Sequence, residues 1–135
     1  PRPPAPRLTE DLARAHAMQA DVFQYWLAQN GPGSVTGREM LSAFDCDPAS
    51  RRLTAEATTC LGRQSGSLGR TLATHAVRHA VRTPLQYVFS RVPTRDALMV
   101  GVLESVGYQE VGVIPAADKA PARPERIEFV YVVQS

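Results

Sequence analysis

The 135-residue sequence lacks most of the features that reveal a function directly. It has no apolar run near the roughly 20 residues that span a bilayer, so no membrane span is expected. It also has no Walker loop, G-x-S-x-G elbow, paired-cysteine motif or EF-hand loop, and therefore no complete catalytic or metal-binding motif. A hydrophobic fraction of 44% and a charged fraction of 21% are ordinary values for a chain that folds around one core.

Cysteine and lysine are both scarce. Cys46 and Cys60 are too few for a disulfide framework, so we expect reduced thiols in a reducing intracellular compartment, either the mitochondrial matrix or the cytoplasm. Lys119 is the one lysine among fifteen basic residues, and the rest are arginines. No block of five or more basic residues marks a nucleic-acid footprint, although arginine forks can still contact a protein or a nucleic acid.

Helix signals dominate the first half of the chain. Residues 1–8 are rich in proline and predict an extended arm, which leaves residues 9–135 as a single domain. Capping residues and apolar spacings of three and four then favour four successive helices. The predicted helices cover residues 9–27, 36–44, 48–61 and 68–81. Residues 53–61 also alternate in the manner of a strand, so that stretch fits either structure.

Strand signals appear in the second half. β-Branched and aromatic residues predict strands over 85–92, 108–114 and 126–133, with a helix over 95–106 that ends at Gly107. Residues 115–125 are broken by alanine and proline and predict an exposed hairpin loop. The expected fold class is α+β, with an N-terminal helical layer of about four helices followed by a β-α-β-β unit that forms a small antiparallel sheet.

The loop from Gln64 to Gly69 precedes the fourth helix, and backbone amides at such a position attract anions. This loop, the following helix and strand, and the stretch from Leu103 to Gly112 together resemble the second half of a GNAT acetyltransferase, over about half of the chain. The resemblance implies that the loop would hold the pyrophosphate of acetyl-CoA. The implied cofactor-binding residues are Gln64, Gly66, Ser67, Leu68, Gly69 and Arg70.

Three positions depart from the pattern of that family. Ser67 replaces a loop glycine, Asp96 falls where asparagine is usual, and Leu103 falls where the tyrosine general acid usually lies. Without that hydroxyl, no evident group protonates the leaving thiolate. The leading interpretation therefore assigns no catalytic residue and no cofactor, with acetyl-CoA as the alternative.

Two further interpretations stay open. The stretch from Leu61 to Leu72 and a later one from Gly101 to Tyr108 look like the small subunits of TRAPP-type tethering complexes, which are non-enzymatic α+β proteins. A winged helix-turn-helix would instead place residues 67–81 in the major groove of DNA. Its contact residues would be Arg70, His75 and Arg78. His75 and His79 have the spacing of two zinc ligands, but no third ligand is evident, so no metal is predicted.

These observations lead to one functional hypothesis and two alternatives. We expect a non-catalytic accessory subunit that packs against protein partners in a larger assembly, which could be mitochondrial. The alternatives are a GNAT-like N-acetyltransferase that uses acetyl-CoA and a winged-helix regulator that binds DNA. The proline-rich arm, the long loop and the missing tyrosine favour the accessory subunit.

Overall fold

The computed structural model describes residues 22–31, 34–43 and 54–133. In this part of the chain, six strands form one mixed sheet, and two helices cover one face of it. The sheet order is β1-β2-β3-β4-β6-β5; β3 and β4 run parallel, and all other neighbours run antiparallel. The elements are β1 (Val22–Gln29), β2 (Val35–Ala43), β3 (Thr54–Leu61), α1 (Gly66–Val81), β4 (Tyr87–Pro93), α2 (Ala97–Val106), β5 (Gln109–Ile114) and β6 (Arg126–Val132).

The core lies between the sheet and the two helices. Leu41, Val88 and Phe129 of the sheet are fully buried beneath residues such as Leu103 of α2. The sheet-facing side of α1 is rich in small residues, including the fully buried Ala76, so this helix packs close to the strands. Neither helix of the described residues is long and apolar enough to cross a membrane.

The predicted fold, an N-terminal layer of about four helices followed by a small antiparallel sheet, is wrong: the described residues form a six-stranded mixed sheet, and the first three predicted helices are strands wherever the structure describes them. The last part of the predicted helix 9–27 is β1, and the predicted helix 36–44 is β2 over its described residues. The described part of the predicted helix 48–61 is β3, so the alternating pattern was the correct reading there. The extended arm and the stretches 9–21 and 44–53 lie outside the described residues.

Long-range pairing explains why the capping signals failed. Thr36 and Glu39 form a capping-box pattern, yet the Thr36 hydroxyl donates to the carbonyl oxygen of Ala28 on β1 at 3.2 Å. The Glu39 carboxylate accepts a hydrogen bond from Thr59 on β3. Both residues thus hold strands together, because partners distant in sequence offered alternatives to a local cap. The turn before β2 is a hairpin in which the Asn30 amide donates to Ser34 at 3.1 Å.

The second half follows the sequence-based expectation element by element. The helix predicted over 68–81 is α1, and the helix predicted over 95–106 is α2. The three predicted strands correspond to β4, β5 and β6. Gly107 ends α2 with φ of 116°, the left-handed conformation that glycine takes readily. The loop 115–125 is exposed, with one bridge between Ala117 and Arg123.

Candidate functional site

The two parallel strands in the middle of the sheet separate from each other. β3 and β4 pair at only three positions, and the last pair joins Glu56 to Phe89. Beyond it β3 continues to Leu61 and β4 continues to Pro93, with no pairing between them in the described residues. The sheet therefore opens into a wedge-shaped cleft, whose sides carry backbone amides and carbonyls that no strand of the described part of the chain satisfies on that edge.

Helix α1 begins at the open end of this cleft. The Ser65 hydroxyl caps the helix by accepting a hydrogen bond from the Leu68 amide at 3.3 Å. Gly66 and Ser67 form the exposed first turn, where the amides have no partner within the helix. The aligned peptide dipoles place partial positive charge there, so this turn is suited to an anion.

Helix α2 begins at the same end of the cleft. Asp96 caps it, accepting a hydrogen bond from the Met99 amide at 3.2 Å. A cavity of about 470 Å³ lies between the starts of the two helices. It is lined by Gln64, Pro93, Arg95, Asp96, Ala97 and Leu98. The opening thus combines two helix N-termini with an arginine, and its size suits a small organic ligand.

Positive charge predominates along the chain that forms the cleft, with Glu56 and Asp96 at the two ends of this stretch. Residues 57–95, which include both sides of the cleft and all of α1, contain six arginines and no aspartate or glutamate. Arg63, Arg70 and Arg95 are exposed near the starts of the helices. A ligand with several negative charges is therefore attracted to this end of the molecule.

The fold that contains this cleft has counterparts among solved structures. The chain matches YncA of Salmonella typhimurium, solved with its cofactor acetyl-CoA, with a TM-score of 0.72, 16% identity and coverage of 93% of this chain and 73% of that chain. The fold is that of the GNAT acetyltransferases. A GNAT phosphinothricin acetyltransferase from Sinorhizobium meliloti in complex with acetyl-CoA matches with a TM-score of 0.69, 15% identity and coverage of 90% and 66%. A ribosomal-protein-alanine N-acetyltransferase from Brucella melitensis matches with a TM-score of 0.69, 14% identity and coverage of 90% and 75%.

No protein-family model matches the sequence, and no curated protein matches it. The structural matches nevertheless correct several predictions. The accessory, non-catalytic subunit is wrong as the leading function, because the fold neighbours are acetyltransferases. The expectation of no cofactor is wrong for the same reason, since two of these neighbours hold acetyl-CoA.

The two rival folds also fail. The resemblance to TRAPP-type subunits finds no support among the structural matches, whereas the GNAT resemblance does. The winged-helix interpretation needs a helix before α1 to form the helix-turn-helix pair, but strand β3 occupies that position. Contacts with protein partners remain a prediction of the sequence.

The GNAT fold distributes the predicted cofactor residues unequally. Gln64, Gly66 and Ser67 lie at the opening of the cleft, whereas Leu68 is half-buried. Gly69 is buried against α2: an added Cβ would lie 3.4 Å from Val102, and its amide donates to Ser65 within the helix. Its contribution is helix packing. Arg70 is exposed and lines a second groove between α1 and α2 of about 580 Å³.

The histidines pack against an aromatic ring. His75 lies over Trp26 with ring centroids 6.4 Å apart, and His79 contacts the same ring edge-on at 5.5 Å. No group of three potential metal-ligating side chains occurs within the described residues. The spacing that resembled a zinc pair thus places two histidines against a tryptophan on β1.

A charged cluster marks the point where the strands separate. Glu56 is the last paired residue of β3, and its carboxylate lies 3.8 Å from the guanidinium of Arg91. Arg91 also approaches Glu128 of β6 at 3.8 Å. Glu56 retains a side-chain exposure of 33%, so a carboxylate that solvent can reach lies at the apex of the wedge.

Two buried polar groups lie beneath the helices, and the sequence patterns did not indicate either of them. Glu39 is 1% exposed, and burial raises the pKa of its carboxyl to about 8, despite the opposing hydrogen bond from Thr59. The hydroxyl of Tyr108 is buried and has no hydrogen-bond partner among the described residues. A strand reading of 35–41 could have revealed Glu39, because it alternates with Val35, Gly37 and Leu41 on one face.

Proposed function

We propose that this chain is an N-acetyltransferase that uses acetyl-CoA. The observation that carries the proposal is the wedge between β3 and β4, with the starts of both helices at its open end. A narrow, partly unpaired gap suits an extended chain with amide groups, and an anion-attracting helix turn suits a diphosphate. Coenzyme A contains both parts.

The residues around the cleft fit this ligand. The first-turn amides of Gly66 and Ser67 can donate to diphosphate oxygens, with Arg63 and Arg70 nearby to offset their charge. The unpaired edge of β3 over residues 57–61 offers backbone donors and acceptors to the amides of the pantetheine arm. The cavity beside Arg95 leaves room for the nucleotide end.

Acetyl-CoA supplies an acetyl group that is activated as a thioester. The Glu56 carboxylate lies at the apex of the cleft, where it can accept the proton that an attacking amine loses. Arg91 restrains that carboxylate and its charge. Leu103 brings no acidic hydrogen to the leaving sulfur, but a thiol with a pKa near that of cysteine, about 8.5, leaves readily as a thiolate.

A binding experiment with one substitution at the helix start tests the proposal. We expect acetyl-CoA to raise the melting temperature of the wild-type chain, because a ligand that binds the folded state stabilises it. Ser67→Asp should keep or raise the stability of the free protein, since a carboxylate suits the first turn of a helix. The same carboxylate repels a diphosphate, so affinity measured by calorimetry should fall by roughly tenfold or more.

A matched control adds the same charge elsewhere. Gln109→Glu introduces one carboxylate at the exposed start of β5, beyond the opposite end of α2, and should leave the affinity unchanged. No binding of acetyl-CoA to the wild-type chain, or equal loss of affinity in both variants, would contradict the proposal.

A further inference from the structure

Tyr108 has a hydroxyl group that is buried in the core of the protein. Tyr108 is 3% exposed, and its hydroxyl has no hydrogen-bond partner among the described residues. A buried hydroxyl without a partner destabilises the folded state, whereas phenylalanine at the same place would avoid that loss. A bound ligand with a hydrogen-bond acceptor at this position would remove that cost.

The surroundings of Tyr108 place its ring against β6, the neighbour of β4 in the sheet. The ring packs edge-on against Tyr131 of β6 at 5.6 Å, and Tyr131 pairs with Val88, one residue before the end of the β3–β4 pairing. The charge of Glu39 on β2 also raises the pKa of this hydroxyl. In the sheet order β3-β4-β6, Tyr108 thus contacts the strand next to the pair that separates, in the core beneath the helices.

The strand beneath presents small side chains to the helices. Ala55 and Ala57 are the residues that β3 turns toward the helices at this level, and both are buried. Leu103, on the last turns of α2, brings only a hydrocarbon side chain to the same core.

Tyr108 keeps its proton in this environment. Burial is the largest cause of a raised pKa of the hydroxyl, and the charges of Glu39 and Tyr131 act in the same direction. A neutral phenol that stays protonated can donate a hydrogen bond to an acceptor within reach. A thioester carbonyl oxygen is an acceptor of the right kind, and its negative charge grows when an amine attacks.

We propose that the Tyr108 hydroxyl donates a hydrogen bond to the carbonyl oxygen of a thioester bound in the β3–β4 cleft, an inference that rests on the proposed acetyltransferase function. In the transfer, the new C–N bond forms as the C–S bond breaks, the amine proton passes to Glu56 or water, and the sulfur departs as a thiolate. Tyr108 retains its proton throughout. Its role is to stabilise charge on the oxygen.

Binding of two ligands to Tyr108→Phe tests this role without an acceptor amine. Acetyl-CoA contains the thioester, whereas desulfo-CoA lacks both sulfur and acyl group but retains the diphosphate and pantetheine. We expect the variant to bind acetyl-CoA roughly five- to tenfold more weakly than the wild type and desulfo-CoA equally well. We also expect the free variant to melt at a higher temperature, because the unpartnered hydroxyl is gone.

The outcomes separate the two proposals. If the wild-type chain binds neither ligand, the acetyltransferase proposal fails. If it binds both and Tyr108→Phe binds acetyl-CoA as tightly as the wild type, only the role of Tyr108 is refuted. Equal weakening of both ligands also refutes that role, since it indicates a general change of the cleft. Tyr131→Phe, a matched change on the neighbouring ring, should leave both affinities unchanged.

A second measurement uses the unmodified chain and does not depend on how the variant folds. The carbonyl stretch of acetyl-CoA labelled with carbon-13 at its acetyl carbonyl is recorded by infrared difference spectroscopy, free and bound. A hydrogen bond from Tyr108 lowers the stretching frequency on binding. A bound thioester with the frequency of the free one overturns the inference.

Discussion

Replacing Glu39 by glutamine should make the protein more stable, and increasingly so as the pH rises. The side chain is 1% exposed, and burial raises its pKa from 4.5 to about 8. At pH 7 the folded chain therefore holds this carboxyl protonated, whereas the unfolded chain releases the proton to water. Because the unfolded state gains by ionising, wild-type stability falls as the pH rises from 4.5 toward 8.

The size of this loss follows from the shift in the pKa of Glu39. A shift from 4.5 to about 8 corresponds to a cost of about 1 kcal/mol at pH 5 and roughly 4 kcal/mol at pH 8. Glutamine has nearly the shape of the protonated acid, and its carbonyl oxygen can still accept the hydrogen bond from Thr59. Glu39→Gln should therefore gain roughly 3 kcal/mol relative to the wild type between pH 5 and pH 8.

Urea unfolding at several pH values measures this difference. The free energy of unfolding of Glu39→Gln minus that of the wild type should climb steadily from pH 5 to pH 8. Glu104→Gln removes an exposed carboxylate from α2 and serves as the control, with a pH profile parallel to that of the wild type. A difference for Glu39→Gln that stays flat over this range would falsify the reasoning.

Three further substitutions test the packing and the cap at the cleft. Gly37→Ala should lose roughly 1–3 kcal/mol in urea unfolding, because its Cβ would lie 2.9 Å from a Leu72 methyl group and 3.2 Å from the carbonyl oxygen of Cys60. Gly69→Ala should instead gain about 0.5–1 kcal/mol, since its nearest contacts are at 3.4 Å or more and alanine favours a helix; a loss as large as that of Gly37→Ala would contradict this reading. Ser65→Ala removes the cap of α1 and should cost about 1 kcal/mol in thermal unfolding, so unchanged stability would show that the hydroxyl contributes no cap.

The second half of the fold was predictable because its signals are local. Gly107 ends α2 through its own backbone conformation, and Asp96 caps the same helix three residues from its partner Met99. The alternating residues of β6 lie on a strand that the periodicity alone identifies. Such signals act within one helical turn or one strand, where sequence patterns are informative.

The first half was not predictable, because its decisive partners are remote. Glu39 meets a residue 20 positions away on β3, and this contact cannot be inferred from a pattern that fits a helix cap equally well. Apolar spacing around Trp26 likewise fits both a helix and a strand with one face toward α1. These two interpretations can be distinguished only from the pairing of strands that are distant in the sequence.

The candidate site shows the same division. The loop from Gln64 to Gly69 could be found from its glycines and serines and from the helix that follows. The separation of β3 from β4 could not be found in this way, since it depends on how many residues pair between two strands that a helix separates in the sequence. The sequence indicates Tyr108 only as one residue of the stretch from Leu103 to Gly112, and the lack of a hydrogen-bond partner for its hydroxyl among the described residues is a property of the folded core.

The short pairing between β3 and β4 also divides the sheet into two mechanical halves. Three residue pairs form the seam between the β1-β2-β3 ribbon and the β4-β6-β5 ribbon, and the contact of α1 with α2 bridges it from above. A molecule that fills the cleft beyond these three pairs would lie between β3 and β4 like an additional strand and would link the two halves of the sheet. Deuterium uptake by amides 57–61 would then slow on loading, whereas amides in the β1–β2 hairpin would exchange as before.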